Sequence, residues 1–565
     1  MRGVVDTSGF VRGPFCDPVA AAAVAATGSH LVIAANPDPE DPSPSAIVEA
    51  LNGLDENFDN CAVNKGCPGR TDDWTNPRPA WLAAGRAPVP APFPDRRRPE
   101  PAVDSRGRGS PLASGWAAGF PAAVPNADDA LWILAAAITV AVPLRAWAVR
   151  GRSYATFALV LLLLSVPAAL VVHDRLRGLV PGVIVFWMDA AFLWGLAATG
   201  CHLVALTKPR LREAPFRLGI SLPAMVFLST GALSLLWLGL LAPLRMLANL
   251  AASRDLTTLL DWLDAAPAVV ALASIATSSR PRRETVHFSL IDPAARPAST
   301  AALPLKRLKV RRVRHKGAHP PQSAANTSND RILRVVQITD PHLGPWQPVR
   351  KLAREIERLC AGDPDLVLLT GDLLTMESGG TPGALTEALA PLSQLAGRCF
   401  AIFGNHDHEA IDEVRAGLRA TGVRLLVDEE VCVVTRLGRI WILGADWRGR
   451  GRAEHLEQLF AEHPRQDTAP RLLLLHDPSA FTLVPPGAAD LTFSGHTHGG
   501  QLGLVSLGFN RTILTGTRWP DHGLFAAGQN RLYVHRGTGH YGFPLRIGVP
   551  GEASRLEIEL PPLEA

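Results

Sequence analysis

Two kinds of apolar pattern divide this chain. From about residue 131 to 276, long apolar stretches alternate with short basic loops. Each stretch is close to the roughly 20 residues that a helix needs to cross a bilayer. From residue 331 onward, short β-branched and leucine-rich runs alternate with segments of helical periodicity. The first pattern predicts membrane-spanning helices, and the second predicts an α/β domain with buried strands.

Four segments of the first region are predicted to span a membrane, at 131–149, 154–173, 183–206 and 217–242. A fifth segment, 256–277, is marginal because it contains two aspartates and a proline. The alternative is a buried soluble helical bundle, which the close succession of four such stretches disfavours. Polar residues within the third span predict contacts between helices rather than a transport path, because no repeat accompanies them. These polar residues are Asp189, Cys201 and His202.

The number of spans decides the side on which the C-terminal half lies. The loops after the first and third spans are richer in Arg and Lys than the loop between them. Positive loops favour the cytoplasmic side, so the first span would begin outside. With five spans the C-terminal half is cytoplasmic, and with four it faces outward. The sequence leaves both topologies open within a multi-pass protein of the cell membrane.

The remaining segments are polar and have few apolar residues to bury. Residues 1–128 are rich in Pro, Gly and Ala and predict a mostly disordered arm. Residues 279–330 predict a linker, in which 284–290 could form a strand of the following domain. The transmembrane region is predicted over 129–278, and the α/β domain is predicted over 331–565.

Composition narrows the classes of function. A chain of 565 residues exceeds the size of a single core, so several domains are expected. The net charge of +4 is small and the basic residues are concentrated in a few runs, which argues against nucleic acid as a partner. The 7 cysteines form no CxxC pair, so a zinc ribbon or disulfide scaffold is not expected. Nothing in the sequence indicates an oligomeric state.

Metal-type ligands follow five of the short apolar runs in the C-terminal half. Carboxyl ends of strands are where open α/β sheets place their sites. Oxygen and imidazole ligands from separate segments suit a pair of divalent cations. Alone, each such residue is more often a helix cap, a turn residue or a core histidine; the whole set predicts a metal centre. The candidates are Asp340 and His342 in VVQITDPH, Asp372 in LVLLTGD, Asn405 and His406 in AIFGNHD, His476 in LLLLHD, and His496 and His498 in FSGHTHGGQ.

The ordered set DPH, GD, GNHD, a single His and GHTH resembles the calcineurin-like metallophosphoesterases. The extended GHTHGGQ and the later RGTGHYGFPLRIG resemble the bacterial membrane-associated branch of that family. The resemblance covers about 331 to 560. It implies a four-layer αββα sandwich, with two packed sheets between helices, here preceded by an all-α transmembrane region. The expected fold class is therefore α/β.

The resemblance also implies roles for these residues. It assigns Asp340, His342 and His498 to one metal ion, assigns Asn405, His476 and His496 to a second, and makes Asp372 the bridge between them. The cofactors would be two divalent ions, Mn, Fe or Zn, which acidify a water molecule for in-line attack on phosphorus. His406 would protonate the leaving oxygen or stabilise phosphoryl charge, with Asp407 orienting its ring. Backbone groups of Gly499, Gly500 and Gln501 are expected to shape the mouth of the site.

The function expected from these features is hydrolysis of a phosphomonoester or phosphodiester by a membrane-anchored, metal-dependent phosphoesterase. The partners would be the lipid bilayer and a phosphoester substrate, with membrane attachment favouring a lipid-linked or cell-envelope compound. The alternative is a catalytically silent sensor or scaffold that binds a phosphorylated ligand. Loss of His406 or of a metal ligand would be its signature, and this sequence retains them all.

Overall fold

The computed structural model describes residues 127–291, 305–315 and 331–561. The arm predicted over 1–128 lies outside the described residues except for its last two positions. The described residues all belong to one unit of contacts, Thr75–Ala565. They form an apolar helical region followed by an α/β domain.

Five helical segments of the first region are long and apolar enough to cross a membrane. The fifth contains two helices separated by a short turn before Pro267. Gly231 allows close packing, because a Cβ there would lie 2.2 Å from the backbone oxygen of Ser165 on the facing helix. The helices are α1 Ala127–Arg150, α2 Arg152–Arg177, α3 Gly182–Ala205, α4 Ala214–Leu250, α5 Arg254–Leu263 and α6 Ala266–Ser278.

The aspartates that make the fifth segment marginal in sequence are paired in the structure. Arg245 of α4 contacts the carboxylates of Asp261 and, at 2.6 Å, Asp264. In α3, Asp189 lies 2.8 Å from His173 of α2. Charged groups at membrane depth are tolerated when they are paired within the bundle. Asp189, Asp261 and Asp264 therefore join helices through ion pairs, whereas Cys201 is exposed.

The second region contains two seven-stranded sheets. The first has the order β3-β1-β14-β4-β5-β6-β7, and the second β2-β12-β13-β11-β10-β9-β8. The strands are β1 Arg282–Ser289, β2 Lys306–Arg307, β3 Arg311–Arg314, β4 Ile332–Ile338, β5 Leu366–Leu369, β6 Cys399–Ala401, β7 Arg424–Leu425, β8 Glu429–Thr435, β9 Gly438–Ala445, β10 Arg471–Leu475, β11 Leu491–Ser494, β12 Gly523–Ala527, β13 Asn530–Val534 and β14 Glu552–Glu559. The helices are α7 Val349–Cys360, α8 Met376–Gly379, α9 Ala384–Leu389, α10 Ile411–Ala420 and α11 Arg452–Glu462.

The central strands β5, β6, β10 and β11 are buried on both faces, which explains their continuous apolar runs. In β5, Leu368 contributes to the core between the sheets, whereas Leu369 belongs to an outer core with Leu352 of α7. In β10, Leu474 faces the central core and Leu473 packs in the opposite outer core. These layers give the αββα sandwich that the resemblance implies.

Part of the predicted 279–330 linker belongs to the sheets. β1 pairs in parallel with β14 along its whole length, and β3 pairs with the other edge of β1. The linker prediction is therefore wrong over β1, β2 and β3, although the strand suspected at 284–290 is present. Three consecutive charged residues, Arg282, Arg283 and Glu284, make β1 resemble a polar segment, and its partner strand lies more than 250 residues later in the chain.

The loops on one side of the helical region contact the α/β domain. The backbone amide of Leu211, in the loop after α3, donates to Oγ1 of Thr381 at 2.7 Å. At the end of α6, Oγ of Ser278 donates to the carbonyl of Pro544 at 2.7 Å. The exits of the third and fifth segments therefore lie on the same side as the domain.

Candidate metal centre

All seven predicted metal ligands lie beyond the carboxyl ends of strands. In the first sheet, the adjacent parallel strands β4, β5 and β6 lead into Asp340 with His342, Asp372 and Asn405 respectively. In the second sheet, the adjacent parallel strands β10 and β11 lead into His476 and the pair His496 and His498. The two packed sheets thus present these strand ends along one edge, where the side chains meet.

The backbone at the ligands is held in an uncommon conformation. Among the residues that the structure describes, nine other than glycine have a positive φ, and five of these are predicted ligands: Asp340, His342, Asp372, His496 and His498. Such conformations are costly and tend to persist at functional sites. Gly371 has a φ of 94°, and a Cβ there would approach the amide nitrogen of Gly404 within 2.5 Å. Glycines let these ligand loops pack against one another.

The first cluster contains Asp340, His342 and His498, all buried. The Nε2 atoms of the two histidines are 3.2 Å apart, and Nε2 of His498 lies 3.5 Å from Oδ1 of Asp340. Burial lowers the pKa of His342 to about 3, and burial also lowers the pKa of His498 well below its ordinary value. Two neutral imidazole nitrogens beside a carboxylate form a donor set that fits a divalent cation.

The second cluster contains Asp372, His476 and His496, joined by Asn405. Oδ1 of Asn405 lies 3.2 Å from Nε2 of His476 and 3.0 Å from Nδ1 of His496. His476 directs Nδ1 to the carbonyl of Thr370 at 2.7 Å, which leaves Nε2 to face the cluster. Burial lowers the pKa of His476, but the carboxylates of Asp372 and Asp340 outweigh it and raise the pKa to about 10. The cluster therefore favours positive charge.

Asp372 faces both clusters with one carboxylate. Its Oδ2 lies 3.6 Å from Nε2 of His342 and 3.4 Å from Nε2 of His476. Its Oδ1 accepts a hydrogen bond from the backbone amide of His406 at 2.9 Å. This orientation suits a carboxylate that contributes to two cation sites.

His406 lies beside the clusters, and its predicted orienting partner is wrong. Nδ1 of His406 contacts Oε1 of Glu409 at 3.0 Å. Asp407 instead accepts hydrogen bonds from the backbone amides of Leu373 and Gly404, at 2.8 and 2.9 Å. Asp407 is fully buried and joins the two ligand loops. It positions Asp372 and Asn405 rather than the His406 ring.

Tyr541 is a site residue that the sequence did not predict. Its ring stacks on that of His406 with centroids 4.5 Å apart and lies 5.2 Å from that of His342. The carbonyl of Tyr541 accepts a hydrogen bond from Nε2 of Gln501 at 3.1 Å. The glycine-rich surroundings of His540 were the available signal, but His540 approaches Trp346 instead, at 6.2 Å. The loop of residues 536–548, called the closing loop below, thus covers His406.

Arg546 holds the closing loop through buried hydrogen bonds. The side chain is buried and donates to the carbonyls of Arg536 at 2.7 Å and Gly539 at 3.1 Å. It also donates to the carbonyl of His498 at 3.1 Å. The buried guanidinium donates to several carbonyls and so connects the loop of Tyr541 with His498, one of the predicted ligands.

Removal of the Tyr541 ring is expected to lower turnover. Aromatic stacking contributes about 0.5–1.5 kcal/mol, so Tyr541→Ala should slow turnover about 2- to 10-fold if the ring holds His406 in place. Tyr541→Phe keeps the ring and should retain most of the activity. Steady-state kinetics of both variants would reveal this difference, and wild-type turnover in the alanine variant would contradict it.

Two further candidates border the site. Oδ1 of Asp446 lies 3.1 Å from Nε2 of His408, and Arg448 lies 3.5 Å from the same carboxylate. Asp446 and Arg448 line a cavity together with His476 and Asp477. They therefore lie at the cleft wall, outside the two ligand clusters.

Comparison with known proteins assigns the domain. Residues 333–500 match the model of the calcineurin-like phosphoesterase family. The chain is 28% identical over 233 residues to phosphodiesterase YaeI of Escherichia coli, spanning 40% of this chain and 82% of that protein. It is 32% identical over 249 residues to the transmembrane protein with metallophosphoesterase domain of Danio rerio, spanning 40% of this chain and 52% of that protein.

A third relative carries a different activity in its name. Over 266 residues the chain is 28% identical to the UDP-2,3-diacylglucosamine pyrophosphatase LpxG of Chlamydia trachomatis, spanning 37% of this chain and 78% of that protein. The matched segments and the two-sheet sandwich both fall in the C-terminal half of the chain. Residues 333–500 therefore form a calcineurin-like phosphoesterase domain by their match to that family's model, and the surrounding segment is similar to these metallophosphoesterases.

Proposed function

We propose that this protein is a membrane-anchored phosphoesterase whose centre holds two divalent cations, Mn, Fe or Zn. The observation that carries the proposal is the placement of Asp372, whose carboxylate faces one ligand cluster on each side. Asp340, His342 and His498 would bind one cation. Asn405, His476 and His496 would bind the second, with Asp372 shared between the two. Mixed carboxylate, amide and imidazole donors suit these metals.

The chemistry follows from how the residues surround the centre. Two divalent cations bound there would activate water and neutralise charge on a phosphoryl group. His406 lies at the edge of the clusters, where its ring can donate a proton to the leaving oxygen. Nδ1 of that ring contacts Oε1 of Glu409 at 3.0 Å, which helps to fix the ring beside the clusters. Tyr541 covers the ring and limits its motion.

The proposed substrate is a phosphodiester, phosphomonoester or pyrophosphate carried by a lipid or cell-envelope compound. Two relatives support this class by name, one as a phosphodiesterase and one as a pyrophosphatase of a diacylated nucleotide sugar. The five apolar helical segments give an independent reason, because they would hold the centre close to a bilayer.

The domain is proposed to lie on the cytoplasmic side. The loop after α3 contains Lys208, Arg210 and Arg212 and contacts the domain through Leu211. Basic loops favour the cytoplasm, and five spans place the domain on the same side as this loop. A reporter fused to the C-terminus tests the placement, and activity of a reporter that works only outside the cytoplasm would contradict it.

Hydrolysis by the full chain is the test of the function. Purified in detergent with Mn²⁺, the protein is expected to cleave bis-p-nitrophenyl phosphate or p-nitrophenyl phosphate, and a chelator should stop the reaction. Asn405→Ala should greatly reduce turnover, whereas Asn249→Ala, on an exposed position of α4, should not. Equal turnover in these two variants would count against the assigned centre. A screen of lipid-linked and nucleotide-linked phosphoesters would then identify the substrate.

A further inference from the structure

Residues 503–513 form an exposed apolar hairpin directly after the GHTHGGQ segment. Gly503 pairs with Thr512, and the backbone amide of Leu504 donates to the carbonyl of Arg511 at 2.8 Å. The tip contains a short 3₁₀ turn, Val505–Leu507. Four large apolar side chains point away from the domain: Leu504, Leu507, Phe509 and Ile513 are 47%, 71%, 59% and 60% exposed.

A cluster of this kind differs from scattered exposed apolar residues. Single exposed leucines are common on protein surfaces, whereas a contiguous apolar patch marks an interaction surface. The hairpin has backbone hydrogen bonds of its own, and the amide of Ser506 donates to the carbonyl of Gly548 at 2.7 Å. Its apolar side chains are therefore presented by a structured element.

The hairpin lies close to the point where the last apolar helix leaves the membrane region. Nη2 of Arg282 donates to Oγ of Ser506 at 2.9 Å. Arg282 follows Ser278, the last residue of α6, by only four residues, a distance of at most about 14 Å in an extended chain. Ser278 itself is hydrogen-bonded to the backbone of Arg546 at 2.9 Å. The hairpin and the end of α6 are thus attached to the same part of the domain.

The charge around the hairpin is positive. Residues 501–520 contain two arginines and no Asp or Glu. Arg511 belongs to the hairpin, and the guanidinium of Arg518 lies 4.5 Å from the ring centroid of Trp519. Basic and aromatic residues beside apolar ones are typical of segments at the level of lipid headgroups, where anionic lipids attract them.

We propose that the apolar hairpin inserts its tip into the headgroup region of the same membrane that the helices span. The apolar side chains would then be buried among lipid chains, and the two arginines would lie among the phosphates. The hairpin begins five residues after His498, and Gln501 beside it is bonded to Tyr541. Membrane insertion would therefore hold the mouth of the metal centre near the bilayer surface.

Photo-crosslinking to lipid tests the insertion without relying on catalysis. The photoreactive residue p-benzoylphenylalanine is introduced at Leu507 in the full chain, which is reconstituted in vesicles of phosphatidylethanolamine and phosphatidylglycerol containing a radiolabelled lipid. Leu240 of α4, 68% exposed, is the matched position within a span, and Val434 of β8, 79% exposed, is the matched apolar position on an edge strand. All three substitutions replace exposed apolar side chains.

The expected result is a lipid adduct at Leu507 comparable with that at Leu240 and several times greater than that at Val434. A yield at Leu507 no greater than at Val434 would overturn the proposal. An adduct to a second copy of the chain in place of lipid would also overturn it. Because the readout is a covalent adduct, lipid labelling at Leu507 in a protein that hydrolyses no phosphoester would leave the insertion standing and reject the proposed function.

Discussion

Asp372→Asn is expected to remove bound metal and nearly abolish turnover. The substitution removes the charge of the one carboxylate that faces both ligand clusters, at 3.6 and 3.4 Å from the two histidine nitrogens. A carboxylate offsets the repulsion between two cations, and an amide does so poorly. Loss of the cation pair would forfeit several kcal/mol of transition-state stabilisation, or at least about 10³-fold in turnover.

Metal analysis and kinetics on the same preparation would check this result. Asp363→Asn is the matched control, because Asp363 is an exposed carboxylate that forms an ion pair with Arg398 at 2.7 Å. The control should keep the metal content and turnover of the wild type. An Asp372→Asn protein that retains two ions per chain and full turnover would contradict the bridging role.

His406→Gln is expected to separate metal binding from catalysis. The metal content should stay unchanged, because His406 is not among the seven predicted ligands, while turnover falls about 10²- to 10⁴-fold through the loss of general acid catalysis. The adjacent His408 offers a matched control. It contacts Asp446 at 3.1 Å rather than a ligand cluster, so His408→Gln should have a small effect.

The leaving group distinguishes proton donation from a structural effect. A p-nitrophenolate leaves without needing a proton, whereas an alkoxide requires one. His406→Gln should therefore slow the cleavage of an alkyl phosphodiester more than that of bis-p-nitrophenyl phosphate. An equal loss on the two substrates would indicate that His406 acts by positioning or by charge stabilisation.

The ligands could be predicted because of how parallel sheets are built. Each candidate follows an apolar run, and parallel strands bring their carboxyl ends to one edge of a sheet. Asp340, Asp372 and His476 meet where these edges of the two packed sheets lie together, although more than 130 residues separate Asp340 from His476. Residue type and order were enough to select side chains that the structure brings together. The division into two clusters around Asp372 agrees with the roles that the family resemblance implied.

Other features depend on contacts that leave no local trace in the sequence. The partner of His406 is Glu409, three residues away, because a 3₁₀ turn at 407–409 brings the carboxylate back to the ring. Tyr541 reaches that ring from a loop that Arg546 and Gln501 hold by hydrogen bonds. Neither arrangement follows from periodicity or spacing.

The extent of the domain and the fifth apolar segment depended on pairing across the chain. In sequence alone β1 resembles a polar linker, and its pairing with β14 shows that it is a strand of the domain. Asp261 and Asp264 make the fifth segment marginal as a span when they are considered alone, but Arg245 of α4 pairs with both carboxylates. In both cases the deciding partner lies in another element of the fold, so composition alone was insufficient.

Reconstitution of the metal-stripped full chain tests the central claim most directly. Mn²⁺ is added in steps while bound metal and the hydrolysis of bis-p-nitrophenyl phosphate and p-nitrophenyl phosphate are followed together. The two-cation centre predicts that turnover appears as metal binds and reaches its maximum at two ions per chain. A chain that binds two ions yet hydrolyses neither these esters nor a broad panel of phosphoesters would contradict it.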